Sequence, residues 1–163
     1  MSTTTHPAAA PGSDAGLPRA PRAGLLLMAG IALVAGLSGA LVLVGLPMPE
    51  GTGRLAAGHG LLMTLGFIGT LVALERAVAL GQPLGYAAPL ASGIGGLLLV
   101  GGAPPAVAAI PLTLGAAVLL WIYVAFARVH PSLHGAVQAA GAIAWFGAAL
   151  ILRQGGAVAS VTP

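Results

Sequence analysis

Apolar stretches with few charged residues, most of them about twenty residues long, are separated by short polar or proline-rich breaks from residue 24 onward. A helix needs roughly 20 apolar residues to cross a bilayer core about 30 Å thick, and it satisfies its own backbone hydrogen bonds within the lipid. These stretches lack the apolar-polar alternation of a membrane β-barrel. The pattern predicts an all-α, polytopic transmembrane helical bundle of about five spans, at residues 24–46, 55–80, 86–100, 106–127 and 133–152.

The two ends of the chain lack this pattern. Residues 1–22 are rich in proline, alanine, serine and threonine, a composition that does not bury a core, and we expect a disordered tail there. Residues 154–163 are likewise expected to be unstructured. The transmembrane bundle is therefore predicted within residues 23–153, with no soluble domain.

Small residues recur at helical spacing on one face of the first and of the third predicted span: Ala29, Ala32, Gly36, Gly39 and Ala40 in the first, and Ala88, Ser92 and Gly96 in the third. Small side chains let membrane helices approach each other closely. We therefore expect both faces to pack against other helices. The same feature favours a homo-oligomer or an assembly with another membrane subunit.

Composition supports the membrane location and excludes several kinds of site. Of the 163 residues, 58% are hydrophobic and 6% are charged, which lies outside the usual range of a soluble domain. The absence of cysteine excludes disulfides, zinc thiolate sites and iron–sulfur clusters. The net charge of +3 comes from scattered arginines without a basic stripe, so membrane lipid is an expected partner and nucleic acid is not.

The arginines also predict an orientation, because short loops rich in arginine stay in the cytoplasm. With a cytoplasmic amino terminus, four arginines would lie inside and two outside: Arg19, Arg22, Arg76 and Arg128 against Arg54 and Arg153. We therefore expect a multi-pass protein of the bacterial inner (plasma) membrane whose amino terminus is cytoplasmic.

The second predicted span carries a histidine near its start. On an ideal helical wheel His59 and Met63 share a face with Gly66 and Thr70. An imidazole nitrogen and a thioether beside a glycine are the groups that a haem or copper site uses. His59 is therefore a candidate metal ligand, and His59 with Met63 a candidate cofactor site. The alternative is a histidine at the membrane boundary, bonded to a loop carbonyl or to water.

A polar cluster is predicted near the opposite end of that span: Glu75, Arg76, Arg128, His134 and Gln138. A carboxylate inside a membrane often handles protons or ions, which favours a small transporter or channel using Glu75, Arg76 and His134. A structural ion pair, for example between Glu75 and Arg128, would equally offset the cost of a buried charge. No Ser-His-Asp set, paired carboxylates or phosphate loop occurs, and no catalytic residue is assigned.

The stretch HGLLMTLGFIGTLVALERAVALGQPLGYAAPL resembles a motif of a set of uncharacterised polytopic bacterial membrane proteins, which implies that this chain corresponds to the front part of a longer bundle. Its first nine residues are also similar to HAHEMLFGF of the NnrS family of haem- and copper-containing membrane proteins. His59, Met63, Gly66 and Phe67 match that pattern, whereas Leu61 and Leu62 replace its second histidine and its glutamate.

The NnrS resemblance implies a haem- or copper-linked role, respiratory or nitric-oxide-related, with His59 in the ligand position. Only another chain or a second copy would supply a second haem ligand. The sequence as a whole favours an accessory or binding component of a membrane assembly over an enzyme.

Overall fold

The computed structural model describes residues 19–154 and contains no β-strand in that range. Its helices make five spans that are long and apolar enough to cross a membrane, which confirms the predicted fold class and span number. The elements are α1 (Arg19–Leu43), α2 (Gly53–Leu61), a π-helical segment (Leu62–Ile68), α3 (Gly69–Leu80), a 3-10 turn (Pro83–Tyr86), α4 (Ala87–Val100), α5 (Pro105–Val129) and α6 (Leu133–Arg153).

The predicted unstructured ends lie mostly outside the described residues. The exception is the last part of the predicted tail, which is helical because α1 already begins at Arg19. At its other end α1 stops at Leu43, earlier than predicted. Gly45 adopts a left-handed conformation with φ +79°, and such a glycine ends a helix. The chain therefore turns before it reaches the prolines at 47 and 49.

The second span is one continuous rod made of α2, the π-helical segment and α3. In the π-helical segment the hydrogen bonds reach back five residues, as from the Gly69 N–H to the Thr64 carbonyl. Gly66 of this segment meets α4 backbone to backbone, because a Cβ built on Gly96 would lie 3.1 Å from the Gly66 Cα. The widened turn thus lies where the second span touches its neighbours most closely.

α4 has the largest buried share of the five spans and packs against α1, α5 and the second span. Ala88, Ser92 and Gly96 are all buried on it. On α5, Gly115 leaves the room that the Ser92 hydroxyl occupies, since a Cβ there would overlap it. The small face of α1 is buried as well, against α2 and the π-helical segment. The two predicted close-packing faces are therefore confirmed.

Successive spans run in opposite directions and sort the loops onto two faces. The near face, where α1 begins, comprises residues 19–25, 75–88 and 123–138, and the far face comprises residues 43–59, 98–107 and 149–154. α6 is peripheral, because it packs chiefly on α5 and is the least buried span. Its start is capped by Ser132, whose Oγ accepts the Gly135 N–H at 3.1 Å.

Candidate functional site

A groove separates α6 from the second span, with α5 as its floor. We call it the lateral groove, and its volume of about 550 Å³ is in the usual range of small-molecule sites. Apolar side chains form most of its lining: Leu65, Ile68 and Val72 of the second span, Leu119 of α5, and Ala142, Ala144, Trp145 and Ala148 of α6. The groove exists because α6 packs on α5 and not along the second span.

Trp145 crosses the lateral groove and reaches the second span at Gly69. A Cβ built on Gly69 would overlap the indole ring, so this contact requires a glycine. Trp145 lies about 18 Å along α6, which is about 30 Å long. It is therefore distant from the membrane boundaries, where tryptophan concentrates. Its Nε1 is buried and has no hydrogen-bond partner among the described residues.

The near-face end of the lateral groove carries charge. Arg76 Nη2 donates to Glu75 Oε1 at 2.6 Å, and within residues 19–154 this is the only ion pair closer than 4 Å. The Glu75 side chain is 66% exposed and that of Arg76 is 23% exposed. Arg76 is therefore the enclosed member of the pair, and its buried Nε has no partner in the described part of the chain.

A second cavity of about 360 Å³ continues from this polar end toward the near face. Arg76, Tyr123 and Gln138 line both cavities and mark where they meet. In the second cavity the Nε2 atoms of His134 and Gln138 lie 3.1 Å apart. The two cavities therefore border each other at the near-face end of the lateral groove, where the polar side chains collect.

The structure gathers the predicted polar cluster only in part. Glu75, Arg76, Gln138 and His134 line one or both cavities, whereas Arg128 is exposed at the end of α5 and lines neither. The predicted ion pair between Glu75 and Arg128 is wrong, because Arg76 supplies the partner. Long side chains of successive helical residues can curl toward each other even though their Cβ atoms diverge.

His59 and Met63 lie away from the lateral groove. His59 Nδ1 is 3.0 Å from the carbonyl oxygen of Ala56 in the preceding turn. Met63 packs on α1, where a Cβ on Gly36 would lie 2.9 Å from its sulfur. Between residues 19 and 154 no three histidine or acidic side chains converge on one point. These residues do not complete a haem or copper site by themselves, so ligation by His59 stays a prediction.

Two aromatic residues of the lateral groove, Tyr123 and Trp145, were not predicted as site residues. Tyr123 lies two residues after Trp121 on α5, where Trp121 is 38% exposed, whereas Tyr123 is 6% exposed and lines the groove. Trp145 was not singled out at all. The available signal was its place in the middle of a predicted span, where tryptophan is unusual.

Comparison with known proteins gives a family and no activity. No curated protein and no solved structure matches the chain. Residues 22–163 match the family described as Domain of unknown function (DUF8744), a range that includes every residue of the lateral groove. Because this match covers most of the chain, the protein belongs to the DUF8744 family.

Proposed function

We propose that the protein is a binding component of a membrane assembly, and that its lateral groove holds an amphipathic small molecule. The observation that carries the proposal is the distribution of polarity in the groove. Arg76 and Gln138 lie at its near-face end, and the lining toward the far face is apolar except for Thr64, whose hydroxyl already donates to the Gly60 carbonyl. A molecule with one polar head and an apolar body matches that distribution when it lies parallel to the lipid chains.

The shape of the groove supports the same proposal. Trp145 bridges α6 and the second span, so it acts as a strut that prevents the two from closing on each other. Because α6 and the second span do not pack on each other along the groove, their side chains there lack dispersion contacts. A lipid-soluble molecule bound between them would supply these contacts. Several groove residues, among them Ile68 and Ala144, are exposed, and the groove is not an enclosed cavity. A ligand can therefore enter sideways from the bilayer.

We also propose a location and an orientation for this component. The near face carries the arginines at 19, 22, 76 and 128 and the far face those at 54 and 153. This imbalance supports a cytoplasmic near face in a bacterial inner membrane.

A haem- or copper-linked role of the assembly is a second proposal, supported by one contact. The Nδ1 of His59 lies 3.0 Å from a backbone carbonyl oxygen, and metal-ligating histidines commonly donate their other ring N–H in this way. The absorption spectrum of the protein purified in mild detergent, with its copper content, tests the proposal. A Soret band that His59→Ala removes would support it. A spectrum without that band, together with no stoichiometric copper, would end it.

The groove proposal is tested with a spin-labelled monoacylglycerol, a neutral single-chain amphiphile that quenches tryptophan fluorescence. In the variant Trp121→Phe, Trp145 is the only tryptophan left of the two. We expect quenching of Trp145 that saturates as the probe is added to protein in nanodiscs.

Two leucine substitutions on α6 give the matched comparison. Gly141→Leu places a side chain in the lateral groove, whereas Gly147→Leu lies outside its lining, and neither glycine has a neighbour within 4 Å of an added Cβ. We expect Gly141→Leu to abolish saturable quenching and Gly147→Leu to preserve it. Equal quenching in both variants, or quenching that never saturates, would refute the proposal.

A further inference from the structure

Two buried N–H donors at the lateral groove have no acceptor in the described part of the chain. They are Nε of Arg76 on α3 and Nε1 of Trp145 on α6, and both residues line the groove from opposite walls. Hydrocarbon contains no acceptor, so burying such a donor in a membrane is unfavourable. A ligand that supplies hydrogen-bond acceptors to these two donors would therefore be stabilised in the groove.

The other polar groups of the groove do not favour a ligand that is charged or that donates hydrogen bonds. The Glu75 carboxylate already accepts from Arg76 at 2.6 Å, so the charges at the polar end cancel. The Thr64 hydroxyl donates to the Gly60 carbonyl at 2.7 Å. An anionic head group would have to compete with Glu75 for Arg76, whereas a neutral acceptor leaves the ion pair intact. The balance of charge and donors selects a neutral ligand that accepts hydrogen bonds.

We infer that the occupant is a neutral, lipid-soluble carbonyl compound of the quinone class, a flat ring with an apolar tail. The inference rests on the proposed groove function and names the ligand class for that groove. A quinone ring carries carbonyl oxygens on opposite edges and no donor, so one ring can accept from both walls. Tyr123 and Trp145 border the same space, and aromatic side chains pack well on planar rings.

The positions of the two donors also define where the ring lies. Trp145 covers Gly69, and Arg76 follows seven residues later, which is about 10 Å along α3. The ring then occupies the near-face half of the groove. Its tail extends toward the far face along Ala144 and Ala148.

The test uses the full chain with Trp121→Phe in nanodiscs and a benzoquinone with a decyl tail as probe. We expect the quinone to quench Trp145 saturably and to displace the spin-labelled monoacylglycerol. Arg76→Gln should weaken quinone binding roughly tenfold, because a hydrogen bond from a charged donor is lost. Arg128→Gln is the matched control, an arginine of the same face that lines neither cavity, and it should leave binding within about twofold.

A second variant and a second assay distinguish the loss of a hydrogen bond to the quinone from misfolding of the protein. Trp145→Phe removes the N–H and keeps an aromatic ring, and equilibrium dialysis of the tritiated quinone reports its affinity without fluorescence. We expect roughly five- to tenfold weaker binding by a variant that elutes at the wild-type position in size-exclusion chromatography.

The outcomes separate the two proposals. Saturable binding of the amphiphile without quenching or displacement by the quinone would overturn the quinone inference and leave the groove function standing. Failure of both probes to bind saturably would overturn both. Quinone binding that neither Arg76→Gln nor Trp145→Phe weakens would overturn the assignment of these donors.

Discussion

Among single residues, Gly69 matters most for the lateral groove, because Trp145 fills the place of its side chain. We predict that Gly69→Ala displaces the indole and lowers the free energy of unfolding by about 1–3 kcal/mol, the usual effect of overpacking a buried contact. Unfolding in detergent and the emission maximum of Trp145 in the Trp121→Phe background measure the two effects.

The control for this substitution is Gly147→Ala on α6, where nothing lies within 4 Å of an added Cβ. Alanine favours a helix over glycine by up to about 1 kcal/mol, so this variant should be unchanged or slightly more stable. If both variants had the same stability and the same emission maximum, the bridging contact would not exist in the membrane.

The ion pair of Glu75 with Arg76 is the second residue-scale feature. Because the Glu75 side chain is 66% exposed, we predict that Glu75→Gln changes the free energy of unfolding by less than about 1 kcal/mol. Glu50→Gln, an exposed acid of the far face, provides the comparison in the same detergent unfolding assay. A loss of several kcal/mol would show that the pair is structural. Loss of a measurable ion flux in the folded variant would favour the transporter alternative.

At the residue scale the sequence predicted which polar residues line the cavities, but it did not predict which residues they pair with. Glu75, Arg76, His134 and Gln138 were all singled out, and all four line the two cavities. The partner of Glu75 was missed, since side-chain rotamers decide between Arg76 and Arg128 and spacing does not encode them. No pattern in the sequence indicates that the Nε1 of a midspan tryptophan lacks an acceptor.

Among the elements, the second span differs most from expectation. Its length and apolar character were predictable, but the π-helical segment at Leu62–Ile68 was not. A stretch that is apolar apart from Thr64 satisfies α-helical and π-helical spacing equally well, so periodicity carries no information there. The helical wheel was still useful, because Gly66 and Thr70, which it places on one face, are both buried in the bundle.

A deletion tests the π-helical segment, since a π turn holds one residue more than an α turn. Thr64 is exposed within it, and deleting it should let the span continue as an α-helix with α3 in its present register. Leu114 is 57% exposed on the continuous helix α5, where a deletion rotates all following residues by about 100°. We predict that the Thr64 deletion accumulates in membranes near the wild-type level and the Leu114 deletion does not. Equal loss would argue against the π register.

For the whole molecule, hydropathy determined the five spans, while their arrangement came from contacts that hydropathy does not describe. α4 lies between α1 and α5 because glycine and alanine allow close approach on two of its sides. α6 has the same mean hydropathy as the second span, 1.7, yet it is the least buried span. In lipid an apolar face is equally satisfied by a helix or by acyl chains. The sequence therefore could not predict that α6 is separated from the second span by the lateral groove.

The orientation of the whole bundle is predicted by its arginines, four on the near face and two on the far face, which favours a cytoplasmic near face.

The natural chain has no cysteine, so single cysteines report each face without background. Glu50 and His130 are exposed on the far and near face respectively. In intact cells a membrane-impermeant maleimide should label Glu50→Cys and leave His130→Cys unlabelled until the cells are lysed. The reverse pattern would invert the orientation and move Arg76 and the polar end of the lateral groove to the outside. Labelling of both positions in intact cells would mean that an even number of helices separates them, which contradicts the five-span bundle.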